Sequence, residues 1–427
     1  MSDALPEGID QFLAKAGWDG AQIEPLAGDA SFRRYFRIRR GEASAMLMDA
    51  PPPNEDPAPF LRSAKWLDAN GLRAPHILAE DAARGLVLIE DFGEVRMREY
   101  VDQWPDDERA VYRAAIDALV DLHRLPPGPF LDYSLSEYLR EVRLLIEWYC
   151  PAQGLQVDAQ GYTRAWEQVL GQVLPRQRPG VCVLRDYHAE NIMLLGSTDK
   201  QGLLDFQDAL NGHRAYDLVS LLQDARRDVS PELEAEIFDY YVERTGAGAE
   251  FLADYAVLGA QRNSKVVGIF VRLWKRDGKP RYLGYIPRVW AMLERDLAHP
   301  ALEPVAKWFR WINEVTSFSP LFQRLFHERP SEKAESSETN QSSSPFGRSR
   351  NLFGSGDSVL GLDTQRSRIG FLAGSPGKHC YPGKIEGWNP ARECWGRSAH
   401  WPACRPARRR RIRPSAARPT GPRSPSS

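Results

Sequence analysis

The stretch VLRDYHAENIMLL at residues 183–195, followed by LLDFQD at residues 203–208, decides the fold of this chain. Three apolar runs in these segments predict short buried strands, and polar loops separate the runs. Three polar residues stand at the strand ends: Asp186, Asn191 and Asp205. They are the first candidates for a functional site, because functional side chains often lie on loops that a rigid scaffold positions.

These three residues are of the types that phosphoryl transfer requires. A triphosphate and its magnesium ions need hard oxygen ligands, which Asn191 and Asp205 would supply. Asp186 would orient an acceptor hydroxyl and accept its proton. The alternative is a pair of hairpins with polar turns, since Asp and Asn are ordinary turn residues. The occurrence of all three at strand ends favours the functional interpretation.

The motif RDYHAENIML followed by LDFQDA resembles the catalytic loop of the aminoglycoside phosphotransferase and choline kinase superfamily. Asn191 follows Asp186 by five residues, and Asp205 follows Asn191 by fourteen, as in kinases. Three further stretches resemble, more narrowly, the bacterial anomeric sugar kinases of cell-wall recycling. They are GDASFRRYF at 28–36, MDAPP at 48–52 and NSKVVGIF at 263–270. The resemblance covers about residues 5 to 325.

The resemblance implies an α+β, two-lobed protein-kinase-like fold with ATP in the cleft. The small lobe, residues 1–92, would be mostly antiparallel sheet and bind nucleotide. The large lobe, residues 93–325, would be mainly helical and hold the catalytic and substrate-binding residues. A disordered basic tail at residues 326–427 would follow, rich in Ser, Pro and Arg.

The activity implied by the resemblance is ATP-dependent phosphorylation of the anomeric hydroxyl of N-acetylmuramate and N-acetylglucosamine. The sugar 1-phosphates would feed peptidoglycan recycling toward UDP-sugars. ATP and Mg²⁺ are the implied cofactors and an amino sugar is the implied partner; we expect a monomer without a specific nucleic-acid or membrane partner. Two alternatives stay open. One is a kinase of another small alcohol or amine, such as an aminoglycoside, choline or homoserine, and the other is a nucleotide-binding pseudokinase.

The resemblance also implies which residues contact the nucleotide. A loop with one glycine would cover the phosphates, using a hydroxyl, backbone N–H groups and arginines. A hinge would bind the adenine edge through its backbone. The candidates in these two segments are Ser31, Arg33, Arg34, Glu90 and Phe92.

The chain departs from the superfamily pattern at Met48, where a strand lysine usually reaches the α- and β-phosphates. A loop arginine would then replace that lysine, or nucleotide binding would depend on magnesium, or the chain would bind without turnover. His188 and Asp217 are implied as structural supports of the catalytic loop. For Asp217 the alternative is a carboxylate stabilised at a helix N-terminus.

A basic stripe is predicted on the helix expected at 251–273. Arg262, Lys265, Arg272 and Arg276 fall within roughly 60 degrees on a helical wheel. Such a stripe is either a solvated face or an anion site, and N-acetylmuramate carries a lactyl carboxylate that an arginine could bind. Arg226 and its neighbour Arg227 are rival candidates.

Periodicity predicts the remaining elements. Strands are expected at 23–26, 35–39, 45–48 and 86–90. Helices are expected at 9–16, 60–70, 107–125, 135–148, 162–174, 215–221, 231–245, 251–273, 286–297 and 302–312.

Charge is distributed unevenly along the 427 residues. From Ser331 onward 17 Lys and Arg stand against 7 Asp and Glu, which leaves −11 for the first 330 residues because the whole chain carries −1. The tail's composition is also what an out-of-frame or read-through extension would give. No signal peptide or apolar run of membrane-spanning length is apparent, and Cys150 and Cys182 are far apart, so we expect a cytoplasmic protein.

Overall fold

The computed structural model describes residues 5–26 and 33–315, with side chains to residue 310. Ser31 and the tail at 326–427 lie outside the described residues. The strands are β1 Gln22–Pro25, β2 Arg34–Arg40, β3 Ala43–Asp49, β4 Ile77–Asp81, β5 Leu86–Glu90, β6 Val181–Val183, β7 Ile192–Leu194, β8 Gln201–Leu203 and β9 Leu210–Gly212. The helices are α1 Ile9–Lys15, α2 Ala58–Ala69, α3 Met97–Gln103, α4 Glu108–Arg124, α5 Leu135–Leu144, α6 Cys150–Ala152, α7 Ala159–Val173, α8 Ala215–Leu222, α9 Pro231–Thr245, α10 Phe251–Asp277, α11 Ile286–Leu297 and α12 Glu303–Val315.

The first five strands form one antiparallel sheet in the order β1-β2-β3-β5-β4. Side chains alternate across a strand, so the sheet has two distinct faces. On the outer face, Phe36 and Leu47 pack against Phe12 of α1. Tyr35 and Met48 are partners in register and pack toward the rest of the chain, on what we call the inner face.

The part of the chain after β5 is mainly helical and is built around α10. Every residue of this helix from Asp254 to Gly268 is buried, and it packs against α5, α8 and α11. A helix buried on all sides has to satisfy its polar side chains internally. Several polar residues do lie in this buried segment: Gln261, Arg262, Asn263, Ser264 and Lys265.

Two small antiparallel pairs, β6 with β9 and β7 with β8, carry the loops that matter for function. Ile192 at the start of β7 pairs with Leu203 at the end of β8. The pairing continues one step further, since the Leu204 N–H donates to the Asn191 carbonyl at 2.9 Å. The chain therefore brings Asn191 and the loop that begins at Asp205 side by side.

The predicted combination of an antiparallel sheet with a larger helical part is confirmed. The α-helix predicted at 135–148 is longer than the one observed. It ends at Leu144 and continues as a π-helical segment over Leu145–Tyr149. Here α10 approaches closely, because a Cβ on Gly268 would lie 2.3 Å from the Leu144 carbonyl carbon.

Two features of the described residues bear on the remaining predictions. β5 ends at Glu90 and α3 begins at Met97, on either side of the predicted boundary at 92/93, which stays a prediction. Within residues 5–26 and 33–315, no helix has both the length and the apolar character needed to cross a bilayer.

Candidate active site

Two residues of the site adopt a left-handed backbone that only glycine adopts freely. Arg185 has a φ of 74° and Asp205 a φ of 59°, and they are the non-glycine residues with positive φ in the described part of the chain. Such conformations cost about 1–3 kcal/mol each and cluster at functional sites. Both turns follow short buried strands, so the polar residues are presented on a rigid base.

Asp217, on the first turn of α8, holds the first of these turns in place. Its Oδ2 accepts from the Leu184 N–H at 2.6 Å and its Oδ1 from the Arg185 N–H at 2.8 Å. Ser220, one turn later, donates to the Arg185 carbonyl at 3.3 Å. Burial raises the pKa of Asp217 to about 7, although both backbone hydrogen bonds act to lower it. Asp217 thus makes the bracing contact that the resemblance implies.

Asn191 joins the backbone of Asp186 to the carboxylate of Asp205. Its Nδ2 donates to the Asp186 backbone carbonyl at 3.0 Å and to Asp205 Oδ2 at 3.3 Å. Gln207 donates to the other oxygen, Asp205 Oδ1, at 2.5 Å. The described hydrogen bonds use the amide nitrogen of Asn191 and not its oxygen, so the oxygen is available to a ligand.

The two carboxylates differ in their electrostatic surroundings. Burial alone would raise the pKa of Asp186, but Lys265, His188, Arg262 and Arg185 act together to lower it. Burial and the charge on Asp186 raise the pKa of Asp205, against Gln207 and Arg33. Asp186 is therefore the more readily ionised group, and Asp205 lies where negative charge has accumulated.

This surplus of negative charge fits a divalent cation. The Asp205 carboxylate and the Asn191 amide oxygen are the hard oxygen donors that Mg²⁺ prefers. Among the described residues, no group of three or more His, Cys, Asp or Glu side chains could hold a metal by itself. A magnesium ion at Asn191 and Asp205 would thus share its coordination with phosphate oxygens and water.

The inner face of the sheet faces this cluster. Arg33 immediately precedes β2, and side-chain alternation along the chain puts it on the same side as Tyr35. Burial raises the pKa of Tyr35, and the charges of Arg33 and Asp205 also act on that pKa. Met48, the register partner of Tyr35, is fully buried. The position where a strand lysine was expected is therefore apolar, and Arg33 is the cation that acts on Asp205.

The predicted nucleotide contacts that the structure describes have protein partners, including Arg33, whose Nε pairs with Glu55 Oε2 at 3.2 Å. Arg34 projects to the opposite side of β2, where its Nε donates to Asp49 Oδ2 at 2.9 Å. Glu90 pairs with Arg73, whose Nη1 donates to Glu90 Oε2 at 2.7 Å, and Arg73 also stacks over the Phe92 ring at 4.8 Å. These contacts order the hinge segment, and the roles of these residues toward nucleotide stay predictions.

His188 belongs to the catalytic loop, and its side chain is buried. Its Nε2 accepts from Arg226 Nη1 at 3.0 Å, and Arg226 Nε pairs with Glu190 at 3.1 Å. Burial lowers the pKa of His188 to about 4, with Arg226 acting in the same direction against Asp224. The neutral His188 ring and the Arg226 side chain therefore stabilise the loop, and Arg226 already has partners within it.

Sequence reasoning missed Glu141, on α5, which holds the catalytic loop from the helical side. The residue is 1% exposed and contacts the cations of Lys265, at 2.8 Å, and Arg185. Tyr133 also donates to it. A signal was present, because Glu141 follows Tyr138 by three residues on the apolar face of a predicted helix. A carboxylate at such a position requires a buried cation.

The residues of the predicted basic stripe on α10 have different surroundings. Lys265 is bound by Glu141 and donates to the Tyr216 hydroxyl at 3.3 Å. Arg272 lies about three turns from Arg262, and the charges that act on it are those of Arg276, Asp277 and Arg140. Arg262 is 3% exposed, and its charge acts on Asp186.

Comparison with known proteins agrees with this arrangement. The model of the phosphotransferase enzyme family matches residues 22–255. An N-acetylmuramate/N-acetylglucosamine kinase of Caulobacter vibrioides is 37% identical, with 70% of this chain and 94% of that protein covered. A protein of the same name from Pseudomonas aeruginosa is 38% identical, with 70% and 90% covered.

A solved structure supports the fold alone. A choline kinase of Streptococcus pneumoniae superposes with a TM-score of 0.51 at 12% identity, covering 67% of this chain and 98% of that one. The likeness extends over both the sheet and the helical part, so the two-lobed kinase-like fold predicted from the sequence is confirmed.

Proposed function

This chain belongs to the phosphotransferase enzyme family, and we propose that it is an ATP-dependent kinase of the anomeric hydroxyl of N-acetylmuramate and N-acetylglucosamine. The observation that carries the proposal is the Asn191 amide, which bridges the Asp186 loop and the Asp205 carboxylate. This contact assembles the general base and the metal ligands in one cluster. The substrate class is supported by the names of relatives that are 37% and 38% identical over nearly their whole length.

In the reaction, Asp186 accepts a hydrogen bond from the anomeric hydroxyl and takes its proton as that oxygen bonds to the γ-phosphorus. The bond from the γ-phosphorus to the β–γ bridging oxygen breaks, and ADP leaves. Asp186 suits this role because neighbouring cations keep its pKa low despite burial. The anomeric hydroxyl is the most acidic of the sugar, so a weak base is sufficient.

Asn191 and Asp205 would hold Mg²⁺, which when bound neutralises charge on the transferred phosphoryl group. Arg33 takes the role of the missing strand lysine, because its charge already reaches Asp205 from the inner face. Asp217 keeps the base in position through the backbone of Leu184 and Arg185. Ser31, two residues before Arg33 in the sequence, is a further phosphate donor in this proposal.

The product would be a sugar 1-phosphate, a suitable precursor for a UDP-sugar in peptidoglycan recycling. Since the reaction consumes ATP, we place it in the cytoplasm. The residues that carry the proposal all come from one chain, so a monomer is sufficient for activity. We also propose the lobe division at residues 92/93, where the hinge crosses from sheet to helices.

The test is an ADP-release assay over amino sugars, choline and aminoglycosides, followed by phosphorus NMR of the product. We expect turnover of N-acetylmuramate and N-acetylglucosamine, a phosphate coupled to H1, and an acid-labile product. The matched control is the 1-O-methyl glycoside of N-acetylglucosamine, which lacks the acceptor hydroxyl and should not react. Turnover of this glycoside, or a 6-phosphate product, would contradict anomeric transfer.

A further inference from the structure

Arg262 lies in the buried middle of α10, and no described residue forms a hydrogen bond or ion pair with its guanidinium. Only 3% of the residue is exposed, and its Nη1 is enclosed without a hydrogen-bond partner. Burying a charge without a partner is strongly unfavourable. The arrangement is understandable if an anion that binds the protein completes the pair.

The neighbouring cations, unlike Arg262, form ion pairs within the protein. Lys265 lies 2.8 Å from the Glu141 carboxylate. Arg226 pairs with Glu190 at 3.1 Å and contacts His188. Arg185 also reaches Glu141. These cations are already neutralised by the protein itself, so Arg262 is the one among them that is available to an anionic ligand.

Arg262 lies one turn before Lys265 on α10. Lys265 and Arg185 share the Glu141 carboxylate, so Arg262 lies on the helical side of the loop that carries Asp186. Burial would raise the pKa of Asp186, and Arg262 is among the cations that lower it. For Asp205, where burial and Asp186 raise the pKa, the cation that acts is Arg33. Arg262 and Arg33 thus act on different carboxylates of the site. Arg33 belongs with the nucleotide phosphates, and Arg262 belongs with the group that receives the phosphate.

We infer that Arg262 binds the carboxylate of an acidic amino sugar and thereby makes the enzyme prefer N-acetylmuramate over N-acetylglucosamine. This inference rests on the proposed function. The two sugars differ only by the lactyl ether on C3, which carries the carboxylate. C3 is two ring positions from C1, so a sugar that offers its anomeric hydroxyl to Asp186 extends its C3 substituent past the base. A planar guanidinium matches a carboxylate with two parallel hydrogen bonds.

The experiment compares Arg262→Gln and Arg262→Lys with the wild-type chain, using both sugars. We expect Arg262→Gln to lower kcat/KM for N-acetylmuramate by about 10- to 100-fold, the range for loss of hydrogen bonds to a charged group. The loss should be mainly in KM, with less than about 3-fold change for N-acetylglucosamine. Arg262→Lys, which keeps the charge without the planar fork, should recover part of the preference.

A control variant, Arg143→Gln, removes an exposed arginine of α5 that pairs with Glu147 at 4.0 Å. This variant should leave kcat/KM unchanged for both sugars. The melting temperature of the free Arg262→Gln protein should not fall by more than a few degrees, because no described residue forms a hydrogen bond or ion pair with the guanidinium. That readout separates a selective binding defect from misfolding.

The outcomes are distinguishable. Equal loss of kcat for both sugars would overturn the inference and assign Arg262 to the transferred phosphoryl group or to Asp186. An unchanged preference would overturn it as well, while the proposed function stands. If the wild-type chain phosphorylates neither sugar, the proposed function fails and this inference fails with it.

Discussion

At the scale of single residues, the site combines unfavourable backbone conformations with compensating side-chain contacts. Arg185 is held in the left-handed region because Asp217 accepts from the N–H groups of Leu184 and Arg185, and Glu141 binds the Arg185 guanidinium. Asp tolerates this region better than most residues, which suits Asp205. The consequence is that Asp186, between a fixed Arg185 and a fixed Asn191, has little freedom to move.

Asp186→Asn tests the base. The substitution keeps the shape of the side chain but removes its charge and its ability to take a proton, so we expect kcat to fall by about 10²-fold or more. Nucleotide affinity should change little, because the proposed function assigns nucleotide and metal binding to Asp205 and Arg33 and not to Asp186. Steady-state kinetics and calorimetric titration with ATP measure the two effects. Turnover near the wild-type rate would remove Asp186 from the proposed mechanism.

Asp205→Ala tests the metal site. Asp205 is the carboxylate that contacts Asn191 in the proposed metal site, so we expect its removal to abolish magnesium-dependent nucleotide binding. Affinity for ATP should be measured with and without magnesium in both proteins. The neighbouring substitution Asp208→Ala, at an exposed position, is the matched control. Equal magnesium dependence in Asp205→Ala and wild type would show that the assignment is wrong.

At the scale of elements, Glu141 connects α5, α10 and the catalytic loop. Burial would raise its pKa, but Lys265 and Arg185 lower it to about 2, from an ordinary value of 4.5. A carboxylate with a depressed folded-state pKa stabilises the fold fully above the unfolded value and loses that contribution as the pH falls through the folded value. The contribution of Glu141 is therefore constant above about pH 4.5 and declines towards about pH 2.

Glu141→Gln should lower the free energy of unfolding at pH 7 by about 3–5 kcal/mol, because it leaves Lys265 and Arg185 without their counterion. The difference from wild type should shrink as the pH is lowered from 4.5 toward 3. Urea unfolding at several pH values measures this. Glu147→Gln, in the exposed pair with Arg143, should change stability by less than about 1 kcal/mol. If the difference in unfolding free energy between Glu141→Gln and wild type did not vary with pH, Glu141 would not be ionised in the folded protein.

Elements with a strong periodic signal were predictable, and those held mainly by tertiary contacts were not. The helices at 231–245 and 286–297 and the strand at 86–90 have the predicted bounds. β4, α3 and β9 were missed. β4 is only partly buried, α3 has seven residues, and β9 has three, so each gives little periodicity and depends on its neighbours.

The same reasoning applies to the site. Spacing identified Asp186, Asn191 and Asp205, because turn geometry between short strands fixes their positions. It did not separate Arg262 from Lys265, since helical periodicity gives the face but not the partner. That distinction depends on Glu141, which comes from a helix more than a hundred residues earlier.

At the scale of the whole molecule, the sheet and the helical part are joined at the site. Phe60 of α2 stacks on Phe206, the residue after Asp205, with ring centroids 5.2 Å apart. Met48 and Val87 of the inner face belong to the same apolar cluster as the helices. The position of Asp205 therefore depends on contacts from both parts of the protein.

Removal of residues 331–427 should leave the melting temperature and sugar kinase activity essentially unchanged. The side chains of the described site belong to residues 33–265, and the family match ends at residue 255. Thermal unfolding and the ADP-release assay on the full-length and shortened chains test this. A decrease of several degrees, or loss of turnover, would mean that the removed segment contributes to the folded body.

Met48 also determines how the nucleotide cleft can be labelled chemically. Nucleotide analogues with an acylating group modify a nearby neutral amine, and strands β1 to β5 contain no lysine. Lys265 is a poor nucleophile, because Glu141 and Tyr216 raise its pKa although burial acts in the opposite direction. We expect acylating analogues to leave this cleft unmodified. A dicarbonyl reagent, which modifies guanidinium groups, should react at Arg33 and be excluded by bound ATP.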